Sequence, residues 1–326
     1  MSGSQVPVLE MLWEAHDPHR ALDARFGFGD ARAAGRWVAD VLDEHWGVRV
    51  DSCQRIVMSG GNALAWVDTP SGRRLAKWSV LPDRFPRLAE VARLTSWLDG
   101  RGLPVSAPVP TRDGRLQVEA DGVSLGLQRV IEGDLLDTTD PGQVRAAGAV
   151  LARLHDALAA YPHAERFATL AVASPPLTQQ ITEWLDSRAA PLPAVARDAL
   201  RGLVAGAPPD RLPRQLVHVD FRSANVLCAG GEITAVLDFE EARHDHRLVD
   251  LARATVLLGT RYHDWGPVPP EVQAQFLAGY QAVRPLTSAE AGWWDVLLFW
   301  QALAMVPPGE DPTGWGPSAL SRLPRP

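Results

Sequence analysis

The stretch Leu216-Val217-His218-Val219-Asp220-Phe221-Arg222-Ser223-Ala224-Asn225-Val226-Leu227-Cys228-Ala229-Gly230-Gly231-Glu232-Ile233-Thr234-Ala235-Val236-Leu237-Asp238-Phe239-Glu240 decides how the rest of the chain is read. Asp220 and Asn225 flank a short polar loop, an apolar run covers 226–228, and Gly230-Gly231 leads into a second apolar run that ends at Asp238. This pattern predicts strand, turn, strand, with an acid at each end. Asp220, Asn225 and Asp238 thereby come to one edge of a hairpin, a set suited to positioning a hydroxyl and holding magnesium against a triphosphate. Glu240 stands two positions after Asp238, so in a continuing strand it projects to the same face. There it would meet a second metal ion or an amine of the substrate.

His218-Val219-Asp220, Asn225 and Asp238-Phe239-Glu240 together resemble the catalytic segment of the aminoglycoside phosphotransferase and choline kinase-like family, small-molecule kinases distantly related to protein kinases. The resemblance runs from about Gly47 to about Gly279. It implies an α+β, bilobal protein-kinase-like fold, with a small antiparallel sheet lobe, a mostly helical large lobe and ATP between them. It also implies phosphoryl transfer from ATP, or from GTP, to an alcohol group, with magnesium as the metal. In that reading Asp220 takes the proton of the acceptor hydroxyl, and Asn225 and Asp238 hold the metal. Arg222 stands where protein kinases carry a lysine that approaches the γ-phosphate, a position at which family members more often have another residue; its guanidinium can fork onto phosphate oxygens. His218 orders the loop backbone. Val219 departs from the glycine usual in the family at that position.

The lysine and asparagine content points the same way. Of 32 basic residues only Lys77 is a lysine, and the only asparagines are Asn62 and Asn225. A chain that uses arginine almost everywhere has kept its one ammonium where a kinase needs it. Strand-like alternation reaches Met58, is broken by Ser59-Gly60-Gly61-Asn62, and resumes; a third strand over 74–80 carries Lys77. Glycines between two strands let backbone N–H groups approach a phosphate, and Lys77 would extend to the α- and β-phosphates. Its expected partner is Glu90, on a helix predicted over 86–100. Residues 128–132 would form the hinge, where backbone groups meet the adenine edge, with Gln128 and Val130 as the named candidates.

Outside the motifs the chain bounds its own reading. Its 326 residues suffice for one large domain or two lobes. No run of about twenty apolar residues predicts a membrane span. Residues 1–5 lack the start of a signal peptide, so a cytoplasmic location is expected. The formal charge is −7, with the acidic excess after residue 133; that argues against a nucleic-acid surface and suits a cationic small-molecule substrate. Cys53 and Cys228 read as buried thiols, and His244-Asp245-His246 as a polar loop without a metal.

The expected organisation is a loosely packed lead-in with one short helix over 1–30 and a helix over 31–46 stopped at Gly47 (together 1–47), a nucleotide-binding lobe (48–132), a catalytic and substrate lobe (133–306) and an irregular Pro- and Gly-rich tail (307–326). Aromatics at helical spacing over 293–300 read as core, His155 as a satisfied core histidine, and Asp250 as a helix cap or a brace for the catalytic loop. The acceptor is expected to be an aminoglycoside or other antibiotic, an amino alcohol such as homoserine or choline, or a sugar. A protein Ser/Thr kinase is disfavoured by the short segment after Asp238, and a pseudokinase by the presence of Lys77, Asp220, Asn225 and Asp238 together. The sequence leaves the oligomeric state open.

Overall fold

A computed structural model describes residues 6–168, 175–187 and 192–323. Residues 1–5, on which the expectation about a signal peptide rests, lie outside it. The chain forms two compact units, Met1–Glu132 and Gly133–Pro326. Among the described residues no helix is long and apolar enough to cross a membrane.

The first unit is a six-stranded sheet with helices. Its elements are β1 (Val8–Met11), α1 (Pro18–Phe26), α2 (Ala31–Trp46), β2 (Ser52–Ser59), β3 (Asn62–Thr69), β4 (Gly72–Ser79), α3 (Phe85–Asp99), β5 (Val118–Ala120) and β6 (Val123–Arg129). The strands lie in the order β1-β2-β3-β4-β6-β5. Alternation explains β3, where Ala63, Ala65 and Val67 are buried and their neighbours less so. Glycines with positive φ make the turns on either side of it: Gly60 at 54° and Gly72 at 100°. Helix α2 starts where Asp30 accepts the Ala33 N–H and stops at left-handed Gly47, and its Ala34, Val38, Leu42 and Trp46 face the sheet core.

Two expectations for this unit are corrected. The sheet is not wholly antiparallel, because β1 pairs parallel with β2, Val8 opposite Arg55. The short helix expected within residues 1–30 is present as α1, but residues 6–30 are not loosely packed. The Asp, Pro and Gly that suggested looseness are helix signals: Asp17 caps α1, Pro18 opens it, and Gly27 closes it at φ 74°. Leu22 and Phe26 are buried in the same core as the sheet.

The second unit contains β7 (Asp134–Leu135), α4 (Pro141–Ala159), α5 (Glu165–Ala168), α6 (Leu177–Ser187), α7 (Ala194–Gly206), β8 (Arg214–Val217), β9 (Val226–Ala229), β10 (Glu232–Val236), β11 (Arg243–His246), α8 (Arg247–Leu257), α9 (Pro270–Val283), α10 (Ser288–Ala304) and α11 (Trp315–Leu320). Strands β10-β9-β7 form one small sheet and β11-β8 another. Helices α4 and α9 pack backbone to backbone: a Cβ on Gly148 would collide with the Phe276 carbonyl, and one on Gly279 with the Arg145 carbonyl. Trp293, Phe299 and Trp300 of α10 are buried. The expected irregular end is corrected as well. Asp311 accepts the N–H groups of Gly314, Trp315 and Gly316 and starts α11, whose Trp315 is buried and donates its indole N–H to Trp265 O at 2.8 Å.

Helices α8 and α10 are tied by a buried ion pair, Arg247 Nη2 to Glu290 Oε1 at 2.6 Å. The other Glu290 oxygen accepts the Thr287 N–H and hydroxyl, both at 2.9 Å, in a capping box. Burial pushes the Glu290 carboxyl up, but the Thr287 and Arg247 contacts overcome it and hold the group below the usual carboxylate range. The unfolded chain therefore takes up this proton at a higher pH than the folded one. The stabilisation is complete above the ordinary Glu value of about 4.3 and is lost as pH falls through the depressed folded value. Glu290→Gln should cost about 2 kcal/mol at pH 7 and flatten the loss of stability between about pH 5 and 3, as urea denaturation across that range would measure.

Candidate active site

Asp220 follows the end of β8 in a loop whose shape is forced from below. Val219 has φ 75°, a left-handed conformation that a β-branched residue adopts only under constraint. The constraint is visible on both sides of the residue. Its N–H donates to Asp250 Oδ1 at 2.8 Å, and its carbonyl accepts from Arg253 Nε at 2.9 Å. The preceding His218 N–H donates to Asp250 Oδ2 at 3.2 Å.

Asp250 is fully buried on the first turn of α8. His155 of α4 donates from Nε2 to the carboxylate Oδ2 at 2.9 Å, and the Tyr280 hydroxyl of α9 pairs with His155 Nδ1 at 2.9 Å. Burial pushes the Asp250 carboxyl up; the His155 bond, the two histidines and the Val219 N–H outweigh it and hold the group low. The carboxylate is thus ionised and anchors two successive peptide N–H groups just before Asp220. Of the two roles read for Asp250, the loop brace is the one it fills, and His155 is the satisfied core histidine expected.

The side chain of Asp220 is fixed at both oxygens. Oδ1 accepts from Arg222 Nε at 2.9 Å and Oδ2 from Asn225 Nδ2 at 2.7 Å; the same Asn225 nitrogen also donates to Asp220 O at 2.8 Å. With its amide N–H groups spent on Asp220, Asn225 has its carbonyl oxygen as the atom left for a cation. Its backbone oxygen accepts the Leu237 N–H at 2.8 Å, and Leu237 O accepts from His218 Nε2 at 2.9 Å. These two bonds lock the residue before Asp238 to the loop that carries Asp220. Asp238 has φ 60°, past the end of β10, and is exposed.

Among the described residues no three His, Cys, Asp or Glu side chains gather as a metal cluster. An amide oxygen and a carboxylate still fit magnesium, which keeps several waters and takes much of its coordination from a substrate's phosphates. The reason given for Glu240 is corrected: β10 stops at Val236, and residue 240 lies in a turn, so strand alternation does not put it beside Asp238.

Arg222 is buried. Its Nε is taken by Asp220, its Cζ lies 5.2 Å from the centre of the half-exposed Trp265 ring, and its Nη1 has no hydrogen-bond acceptor among the described residues. In the first unit, Gly60 and Gly61 form the β2–β3 turn between Ser59 and Asn62. Lys77 is half-buried on β4, opposite Leu64 and Gly126. Glu90 sits on α3 and accepts from Arg93 Nη2 at 2.9 Å. Gln128 lies near the end of β6 with its Oε1 accepting from Ser106 Oγ at 3.2 Å, and Val130 follows the strand. In the second unit, Gly133 has φ 153°, and a Cβ there would meet Thr234 Oγ1 at 2.8 Å and Cys228 O at 2.9 Å. Arg253 and Tyr280 went unread in the sequence; on a helix, an arginine and a tyrosine give no signal that one reaches the Val219 loop and the other His155 of α4.

The profile of the phosphotransferase enzyme family matches residues 58–293. A homoserine kinase of Methylobacillus flagellatus is 32% identical over 219 residues, 63% of this chain and 62% of that protein. One of Neisseria meningitidis is 29% identical over 252 residues, 73% of this chain and 76% of that protein. The chain therefore spans less than two thirds of the Methylobacillus relative. Among solved structures, an amicoumacin kinase in complex with AMP-PNP, Ca2+ and amicoumacin superposes with a TM-score of 0.59 at 16% identity, over 83% of this chain and 84% of that one.

The anchoring of the loop by one carboxylate has a measurable cost when broken. Asp250→Ala would leave two peptide N–H groups and a buried imidazole without an acceptor. Stability should fall by about 3 kcal/mol or more, read as a lower denaturation midpoint, with turnover lost in the fraction that remains folded.

Proposed function

The chain belongs to the phosphotransferase enzyme family, and on that premise we propose that it transfers the γ-phosphoryl group of ATP to the hydroxyl of a small molecule. The observation that carries this reading is the clamping of Asp220 by Arg222 Nε and Asn225 Nδ2. Such a carboxylate cannot rotate away from an incoming hydroxyl, and orientation is most of what a loose phosphoryl-transfer transition state asks of a protein. As the acceptor oxygen bonds to the γ-phosphorus, its proton passes to Asp220 and ADP leaves.

On the second unit, Asn225 Oδ1 and Asp238 are the residues that would hold magnesium, with Glu240 a further candidate. Bound there, the ion would neutralise charge on the phosphates. On the first unit, the backbone of Ser59-Gly60-Gly61-Asn62 and the Lys77 ammonium, with Glu90 as its partner, would serve the phosphates, and the backbone at Gln128 and Val130 the base. GTP is the alternative donor.

For the acceptor we favour an amino alcohol of the homoserine type, because the curated relatives named above are homoserine kinases. Such a substrate carries an ammonium, in keeping with the acidic second half of the sequence. ADP release from Mg-ATP, measured with L-homoserine, choline, aminopropanol, an aminoglycoside and a macrolide in parallel, tests it. Homoserine should give the highest kcat/KM. A higher value with an antibiotic would reassign the acceptor, and no transfer to any of them would count against the reading.

Asp220→Ala should lower turnover by about a thousandfold or more while leaving Mg-ADP affinity within about twofold. Arg222→Ala should lower kcat more than it raises the KM for ATP; an unchanged kcat would remove Arg222 from the site.

A further inference from the structure

Residues 6–57 lie ahead of the stretch that matches the family, and none of the phosphate-binding expectations uses them. Two side chains from this segment nevertheless close on the tip of the β2–β3 hairpin. Glu14, between β1 and α1, accepts the Gly60 N–H through Oε2 at 3.4 Å. Arg25, in the last turn of α1, donates from Nη1 to Gly60 O at 3.3 Å. The same Nη1 donates to the same Glu14 oxygen at 2.7 Å, so the three groups close a ring around the backbone of one residue, Gly60. Both side chains are largely shielded, 20% and 27% exposed. Burial pushes the Glu14 carboxyl up, but the bonds from Arg25 and Gly60 hold it below the usual carboxylate range.

The tip needs such a hold. Gly60 has φ 54° and no side chain of its own to steady it, and a Gly-Gly turn loses more conformational entropy on being fixed than any other. Gly61 is already held from the other side. Its carbonyl accepts the Val80 N–H at 2.9 Å, and a Cβ there would strike the Leu81 side chain. Gly60 is held by Glu14 and Arg25.

We propose that Glu14 and Arg25 are positioning residues: together they form a clip that fixes the Gly60-Gly61 backbone in the shape that receives the nucleotide's phosphates. This rests on the nucleotide reading given above, and it assigns a role to a segment outside the family match. The clip differs in sign from a purely electrostatic effect. If the pair acted only through its field, removing the Glu14 carboxylate would leave Arg25 to attract polyphosphate, and binding would tighten. A clip fails when either half is removed.

The test uses the full chain and the variants Glu14→Ala, Arg25→Ala, the double variant and Glu14→Gln. Mg-ADP is titrated by calorimetry, and amide hydrogen exchange is followed over residues 59–62. Each alanine variant should weaken Mg-ADP about three- to tenfold, and the double variant should be no weaker than the weaker single one, as expected of two groups acting as one unit. Exchange at Gly60 and Gly61 should quicken in both. Glu14→Gln, which keeps an acceptor oxygen, should recover part of the affinity and rule out a general loss of folding. Unchanged or tighter binding by Glu14→Ala, additive effects of the two substitutions, or exchange unchanged in both variants would overturn the clip. Failure of the unaltered chain to bind Mg-ADP would instead overturn the nucleotide reading, leaving hydrogen exchange to judge whether the tip is held.

Discussion

The second unit is organised by one buried negative charge. A carboxylate taken out of water is costly unless its lone pairs are filled, and Asp250 fills them with the His218 N–H, the Val219 N–H and the His155 ring. Two of these donors are adjacent in the loop after β8 and the third comes from helix α4, which Tyr280 in turn ties to helix α9. The charge therefore does in one place what hydrophobic packing does diffusely. It requires α4, α8, α9 and the loop to be together before its desolvation is offset, and the loop reaches its strained shape only as part of that assembly.

The strain at Val219 follows from the same arrangement. A glycine could adopt φ 75° at no steric cost, but it would also leave that loop free to adopt other shapes. Here a β-branched residue is driven into the left-handed region by bonds to its N–H and its carbonyl, from Asp250 and Arg253. Of order 1–3 kcal/mol is stored at such a residue, which two bonds to charged partners are large enough to offset. The direction of Asp220 is thus fixed from beneath by backbone and from the side by Arg222 and Asn225.

Much of this was legible in the sequence because it depended on residue type at short range. The hairpin carrying Asp220, Asn225 and Asp238, the glycines of the β2–β3 turn and the helix ending at Gly47 are all local patterns. What the sequence hid was of two kinds. Some features were local but read with the wrong weight: the short helix expected before residue 30 is bounded by Asp17-Pro18 and Gly27 and packs into the core where a loose segment was read, and Asp311 starts α11 where Pro and Gly suggested irregular chain. Others depend on long-range contact and have no short-range signature. Glu14 reaches Gly60 across 46 positions, and His155 reaches Asp250 across 95. Glu240 is a case of a sound rule applied past its range, since side chains alternate only while the strand lasts, and β10 ends at Val236.

The segment that follows Asp238 bears on what kind of acceptor the second unit can serve. Protein kinases hold a peptide with a long, mobile stretch between the metal-binding Asp and the next core helix. Here residues 239–246 are all that separates Asp238 from α8, and half of them are β11, paired residue by residue with β8, Arg243 opposite Val217 through His246 opposite Arg214. Within the strand Arg243 pairs with Asp245 at 3.2 Å, and the Asp245 side chain is buried. Freeing this stretch to grip a polypeptide would mean breaking a strand pair and moving the helix that carries Asp250, and with it the anchor of the Asp220 loop. The connection that keeps Asp220 in place is therefore too short and too fully bonded to double as a peptide-binding surface, which is in keeping with the small-molecule acceptor proposed above.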